Sequence, residues 1–472
     1  MKGLLVIIYS LLLLNANSET NGYNYNSYSA VSTNSDLSGA TLTSTTSDQS
    51  VVYITTSGIT IDSSTIQKTS GDSSNTENSE FYGVNAAILV QGGGVTITDG
   101  TITTAAKGAN AVCATNSGTV TISGTTIKST GSGSARGLHS TYGGKITASD
   151  VTISSTGGSC ATLATDRGEG TVTCSGCTLS TEGAGSPLIY STGTITVSKT
   201  TGTASGAQMV VVEGKNTAIV QESSSLKCSG VGNRNNVDDC GIFLYQSMSG
   251  DADVGTSTFT CTESTFEIES TSSVYSSAPM FFITNTAAAI NLEDCTFKYG
   301  SGTFLSSKAT SEWGNSGSNG GTVTLTLTNQ EIEGDFIVDS SSSLSITMVN
   351  SSIKGKINTD NESTNVAITL DAASSITLTG NSYISSLTNA DTTGSNINKG
   401  SYTLTDNNGN EFTATGTSTV TTSTTNPTST TNTTDDDTDT DSIHIIRNSA
   451  LNNRSSYGLV FHIIILATLI LI

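Results

Sequence analysis

Residues 94–129 read GVTITDGTITTAAKGANAVCATNSGTVTISGTTIKS, and this stretch carries one pattern twice. A Gly-containing turn leads into an alternating strand (GVTIT, then GTVTIS), and after a short turn a further alternating strand (TITT, then TTIKS) closes the unit. Apolar residues alternating with Thr and Ser at a period of two signal strands with one buried face. Between the two copies lies a more apolar run, AVCA at Ala111. Working outward, the same run recurs as AILV at Ala87, GLHS at Gly137, ATLA at Ala161, PLIY at Pro187 and VVVE at Val210, so that successive spacings are 24, 26, 24, 26 and 23 residues.

A unit of this length with three short strands reads as one coil of a parallel β-helix, each coil hydrogen-bonded to the next at a rise of about 4.8 Å. The inward ladders follow from the alternation: Val95 and Ile97, Val120 and Ile122, Ile146 and Ala148, Val172 and Cys174, Ile195 and Val197 hold the same two positions on successive coils. Thr96 and Thr121 face outward. A string of sandwich domains would need more varied strand lengths and Greek-key connections, and right-handed crossovers are the rule for parallel connections. From Ile242 the period continues with insertions: IFLY at Ile242, MFFI at Met280, TFLS at Thr303 and FIVD at Phe336 mark the first strand at spacings of 38, 23 and 33 residues. QSMSGDADVG and SEWGNSGSNGG read as loops projecting from one face, where solenoids often bind.

Composition agrees. Of 472 residues only 12% are charged and 34% hydrophobic, well below the levels of ordinary globular domains. The net charge of −21 argues against nucleic acid as a partner, because phosphates require a basic footprint.

The two ends read as addresses. Residues 1–18 form a signal peptide, with Lys2, an apolar run from Leu4 to Leu14 and small residues at Ala16 and Ser18. At the other end Asn448, Ser449 and Ala450, a polar spacer and an apolar tail from Gly458 to Ile472 match a glycosylphosphatidylinositol (GPI) signal with Asn448 as the attachment residue. The expected organisation is a polar lead-in and cap over 19–50, the β-helix over 51–412, a disordered Ser/Thr/Asp-rich stalk over 413–448, and a GPI propeptide over 449–472. Asn350, Asn361 and Asn432 open N-glycosylation sequons.

The segments ATDRGEGTVT, GSPLIYSTGTITV, VVVEGKN, IFLYQSMSGDADVGTSTFT and EWGNSGSNGGTVTLTLTNQ resemble a family of secreted, adhesin-like β-helix proteins of anaerobic gut bacteria and archaea, over about Phe81 to Leu404. The resemblance implies a right-handed β-helix on the cell exterior and supplies no catalytic residues. The chain departs from the family in its GPI signal and its cysteines.

There are 8 cysteines, an even number that in a secreted chain points to disulfides. Cys228 and Cys240 flank the polar loop SGVGNRNNVDD and are the expected pair. Cys174 and Cys177 have redox-motif spacing without a thioredoxin-like context, and Cys174 is expected to pack on an inward ladder. No metal or cofactor site is expected, since one CxxC without a second pair or a neighbouring His lacks four ligands. His139, aligned with Cys113 and Leu163, reads as a buried structural histidine.

Candidate site residues follow the first strand. Asp166, beside Arg167 and Glu169, and Glu213, beside Lys215, lie two coils and roughly 10 Å apart, which approaches the carboxylate separation of inverting glycosidases. They are the best-placed catalytic candidates, but catalysis is not expected, because charged residues on exposed turns are usually solvated ion pairs. Asn116, Tyr142, Asp166, Tyr190, Glu213, Tyr245 and Gln246 fall at related positions on successive coils and form a polar strip with periodic tyrosines, suited to a glycan. Trp313 adds a further contact. The expectation is therefore an all-β, single right-handed parallel β-helix on a stalk, held to a membrane by a lipid anchor. Its expected role is that of an adhesin-like or coat protein binding extracellular glycans or a host or neighbouring cell surface. The alternatives are a surface polysaccharide lyase or glycoside hydrolase of β-helix fold, and a purely structural coat antigen.

Overall fold

The alternating strands of the repeat stack in parallel, each pairing with its equivalents one coil before and one coil after. In the computed structural model, which describes residues 21–413, the first strands of the coils form a 12-stranded sheet running from Ala30–Thr33 to Asp335–Val338. The second strands form a 14-stranded sheet from Leu37–Ser38 to Ser386–Asn389. The third strands form a 10-stranded sheet ending at Thr296–Lys298, and a separate 4-stranded sheet from Glu331–Glu333 to Ile397–Asn398 takes over in the later coils. The fold is a parallel β-helix. The expected signal segment 1–18, the expected stalk beyond Thr413, the expected tail, and Asn432 and Asn448 lie outside the described residues.

The second-sheet ladders hold as read from the sequence. Val95, Val120, Ile146, Val172 and Ile195 are successive Cα partners, and so are Ile97, Ile122, Ala148, Cys174 and Val197. All are buried. In the third sheet Ile102, Ile127, Ile153 and Leu179 form the matching ladder, which continues through Gly202 to Leu226. A Cβ on Gly202 would stand 2.6 Å from Leu188 Cδ1, so Leu188 fills the space that a ladder side chain would take. From Phe259 onward the interior turns aromatic, with Phe259, Phe266, Phe281, Phe297 and Phe304 in mutual contact, mostly edge to face. Edge-to-face packing is the arrangement the ring quadrupole prefers.

The turn between the second and third strands carries a left-handed residue on coil after coil: Ser63, Asp99, Gly124, Asp150, Gly176, Lys199, Glu263, Asp294, Asn329 and Asn350 all have positive φ. This is the tight corner that lets the chain change sheets, and it explains the predominance of short polar residues and glycine there.

Three expectations are corrected. The β-helix starts before residue 51, because Ala30–Thr33, Leu37–Ser38 and Thr41–Ser44 already form a complete coil whose strands pair with those of the next. The first-strand register slips by one residue against the alignment made from sequence. His139 pairs with Cys113 as expected, but on the other side with Ala164 instead of Leu163. The strands of this sheet are buried on both faces, so their side chains do not alternate between apolar and polar, and alternation is what marks a register.

The third correction concerns sulfur. Cys228 and Cys240 are not bonded to each other. Cys228 belongs to the main interior cluster, whereas Cys240 packs with Val211, Phe243 and Phe282 on the outer side of the first sheet. Disulfides join Cys174 to Cys177 and Cys261 to Cys295, and Cys113, Cys160, Cys228 and Cys240 are buried free thiols.

Candidate functional site

Of the three long sheets, the first is the one whose outward face is covered, and this coverage builds the site. Toward the N-terminus, Tyr25 and Tyr28 of the lead-in pack over Tyr53, Leu89 and Cys113. The helix Thr76–Tyr82 is capped by the Asn75 side chain, which accepts from Glu77 N, and is closed by Gly83 in the left-handed region. Tyr25 Oη donates to the carbonyl of Tyr82 at 2.6 Å. Further along the sheet, Val211, Phe243 and Phe282 make an apolar floor under Trp313. Between these two covers opens a cleft of about 340 Å³ whose lining includes Glu80, Arg136, Asp166, Tyr190, Glu213 and Tyr245.

Arg136 and Asp166 form an ion pair at 2.6 Å, with side chains 9% and 4% exposed. Asp166 also accepts from the backbone N–H of Arg167 at 2.8 Å. Burial pushes the Asp166 carboxyl up to about 6, against the opposing pull of Arg136. For Arg136, burial works against the charge, but Asp166 and Glu80 more than compensate and hold it protonated. His139 lies under the pair, fully buried. Its Nε2 is 2.6 Å from the Glu80 carbonyl and its Nδ1 is 3.3 Å from Arg136 Nη1. Burial, and then Arg136, lower its pKa well below the ordinary value. These partners assign a neutral ring that donates through Nε2 and accepts at Nδ1.

Beyond this pair the floor is set by Glu213, which is 1% exposed. Its Oε2 accepts from Tyr190 Oη at 2.6 Å and Tyr245 Oη at 2.9 Å, and its Oε1 from Ser247 N at 3.3 Å and from the Ser247 hydroxyl. Burial, followed by the neighbouring charges and phenols, raises both tyrosines well above the usual phenol range, so they remain donors. The 246–255 loop forms one wall. Arg167 holds Asp251 at 2.7 Å while its guanidinium stacks 3.8 Å from the Phe81 ring centroid, and Lys215 bridges Glu169 and Asp253.

Four residues of the expected strip, Asp166, Tyr190, Glu213 and Tyr245, meet in this cleft. They do not form one ladder, however: Tyr190 pairs with Val211, and Glu213 pairs with Tyr245. The other three are placed elsewhere. Asn116 accepts from Asn21 N at 2.8 Å under the lead-in. Tyr142 stacks on Tyr82 and packs against Gly168 of the next coil, where a Cβ would stand 2.6 Å from its ring. Gln246 donates to the Ala252 carbonyl at 3.2 Å within its own loop. Trp313 sits beside the cleft, 5.1 Å from Tyr245 and 5.2 Å from Phe243 between ring centroids.

Trp313 has φ of 52°, a left-handed backbone that costs a bulky residue on the order of 1–3 kcal/mol. The buried Asn319 side chain holds it there, donating to the carbonyls of Glu312 and Trp313 and accepting from Thr310 N. The cleft residues that sequence reasoning missed are Arg136, Glu80, Ser247 and Asp251. One signal was available: among the described residues all three arginines, Arg136, Arg167 and Arg234, stand at this cleft or its rim.

The sequons Asn350 and Asn361 lie on the later coils. Asn350 is exposed and donates to Asn329 Oδ1 at 2.8 Å, and Asn361 accepts from Asn407 Nδ2 at 2.8 Å. Among the described residues no group of three or more His, Cys, Asp or Glu side chains is arranged to hold a metal ion. Comparison of the chain with protein-family models, with curated proteins and with solved structures finds no match.

Proposed function

We propose that the chain is an adhesin-like surface protein that binds glycans in the cleft of the first sheet and is carried on the outer leaflet by the lipid anchor expected at Asn448. One observation carries this reading: Tyr190 and Tyr245 converge on Glu213 at the floor of an open, polar cleft. Aromatic faces beside fixed, directional hydrogen-bonding groups suit the apolar and hydroxylated sides of a sugar ring. The carboxylates are also spoken for. Glu213 accepts on both oxygens, and Asp166 is tied to Arg136 and to the Arg167 amide. Groups so saturated position a ligand well and exchange protons poorly.

Screening the secreted chain against a glycan array tests the reading, with product analysis on every positive. Binding without turnover, weakened in the double variant Tyr190→Phe/Tyr245→Phe, is expected. Absence of binding to any glycan would overturn it. One observation favours a glycan-cleaving enzyme as a second reading: the Asp166 carboxyl, raised to about 6, could act as a general acid near neutral pH. Released sugars that disappear in Asp166→Asn would establish that reading instead.

A further inference from the structure

We infer that the ligand of this face is a linear, uncharged polysaccharide lying along the rod axis, from the Asp166 cleft across Trp313 into a second cleft. The inference rests on the glycan-binding reading and adds the length, direction and charge of the ligand. The second cleft, of about 740 Å³, is lined among others by Val237, Val274, Pro279, Phe282, Ser306 and Ile337. Register places it on the same face: Ala164, Tyr190, Val211, Phe243, Phe282, Ser306 and Ile337 are successive partners on successive coils. That ladder covers six coil steps, or about 29 Å at the rise of about 4.8 Å per coil.

The two clefts share their surroundings. The segment between Cys228 and Ile242 sends Arg234 to the first and Val237 to the second. Arg234 reaches across the face, its guanidinium 5.4 Å from the Trp313 ring centroid and 3.7 Å from Glu312. Trp313 thus stands between the clefts, half-buried over Phe243, on a strained backbone that Asn319 maintains. Loops flank the first sheet on both sides: 229–241 and 269–280 on the edge facing the third strands, 246–255 and 308–321 on the edge facing the second. The two rows meet where Arg234 joins Glu312 and Trp313, so a polymer lying lengthwise between the rows passes over that link. The face offers a peptide no free strand edge, because the first-sheet strands along it up to Thr303–Ser307 are paired with both neighbours and the terminal strand Asp335–Val338 is bridged at Phe336 to residues 356–358.

Charge narrows the polymer. At the first cleft four acids, Glu80, Asp166, Glu213 and Asp251, outnumber Arg136 and Arg234, and at the second Asp239 is balanced by Lys308, on a chain of net charge −21. The acidic excess of the first cleft and of the whole chain disfavours polyanions. It does not disfavour hydroxyl-rich chains.

The test is calorimetric titration of the secreted chain with β-1,4-linked gluco-, xylo- and manno-oligosaccharides from disaccharide to octasaccharide, with oligogalacturonate as the charged probe. Affinity is expected to rise about tenfold or more from disaccharide to hexasaccharide, equivalent to about 1.4 kcal/mol, and then to level off, with oligogalacturonate not bound. Ile337→Asp should reduce hexasaccharide affinity to that of the disaccharide and leave the disaccharide unaffected. Ile337→Ser is the milder variant, and an unchanged far-ultraviolet spectrum checks folding in both. Equal affinity for all lengths, or preference for oligogalacturonate, overturns this inference while the glycan-binding reading stands. No binding at any length or charge overturns both.

Discussion

Tyr190 and Glu213 sit on adjacent coils and are joined by a 2.6 Å hydrogen bond from phenol to carboxylate, with Glu213 almost fully buried. The register makes the contact diagonal, since Val211, not Glu213, is the direct partner of Tyr190. Tyr245, the direct partner of Glu213 on the following coil, closes on the same oxygen from the other side. One buried acid therefore clamps three consecutive coils at the place where the cleft opens.

Removing one donor should be measurable. Tyr190→Phe is expected to lower the unfolding free energy by about 1.5–3 kcal/mol, the range for a hydrogen bond to a charged group. Glu213→Leu, which leaves two partly buried phenols without their acceptor, should cost more. Chemical denaturation of the secreted chain checks both, and an unchanged midpoint in Tyr190→Phe would mean that the contact does not support the fold.

Acidification should act through two buried groups with opposite signs. The folded pKa of His139 lies well below 6.5, so its contribution is present above 6.5 and is lost as pH falls, because the unfolded chain takes up the proton first. Asp166 is raised from 3.8 to about 6, so its contribution is present below 3.8 and is lost as pH rises through about 6. In Asp166→Asn the fall in melting temperature between neutral pH and pH 4 should therefore be steeper than in the parent, and in His139→Gln shallower. Parallel curves for all three proteins would contradict the buried placement of both groups.

Peptide mapping without reduction should recover Cys174–Cys177 and Cys261–Cys295, with Cys228 and Cys240 alkylated only after unfolding. The Cys261–Cys295 bridge closes a 34-residue separation, and its loss in the double Ser variant should cost about 2–4 kcal/mol. Recovery of a Cys228–Cys240 peptide would reverse the assignment.

The chain has one tryptophan, and it stands between the two clefts. A bound oligosaccharide should alter its fluorescence intensity or emission maximum, and Arg234→Ala, which removes the cation over the ring, should shift the unliganded emission to longer wavelength. Saturating binding with no change in fluorescence would remove Trp313 from the site.

Phosphatidylinositol-specific phospholipase C should release the protein from the surface of cells that express it, and Asn448→Gln with Ser449→Gln should prevent surface display. Retention after enzyme treatment would exclude the lipid anchor.

The solenoid was legible because the second and third strands expose one face to water. Thr96 and Thr121 look outward while Val95 and Val120 look inward, so periodicity alone recovered the partners of those strands. The first strands lie under tyrosines, a helix and loops. Runs such as VVVE at Val210 are buried on both faces, no exposed–buried alternation marks their register, and the alignment therefore slipped at Leu163. The same covering separated Asn116 and Tyr142, which it covers near the N-terminus, from Asp166, Tyr190, Glu213 and Tyr245, which it leaves at an open cleft. Cysteine pairing was illegible for a related reason. Closeness in the chain brought Cys228 and Cys240 together on paper, while the fold places Cys228 in the interior cluster and Cys240 in the apolar cluster under Trp313.

What the sequence determined by itself is the repeat: a coil length near 24 residues, the ladders that fill the interior, and the left-handed polar corner, all of which depend on residues close in the chain or one period apart. What only the tertiary structure decided is the site. Arg136 meets Asp166 across 30 residues, Arg167 meets Asp251 across 84 and Tyr25 meets Tyr82 across 57. Such contacts depend on how the lead-in, the helix and the loops fold back over one sheet, and a lateral packing of that kind leaves no period in the chain.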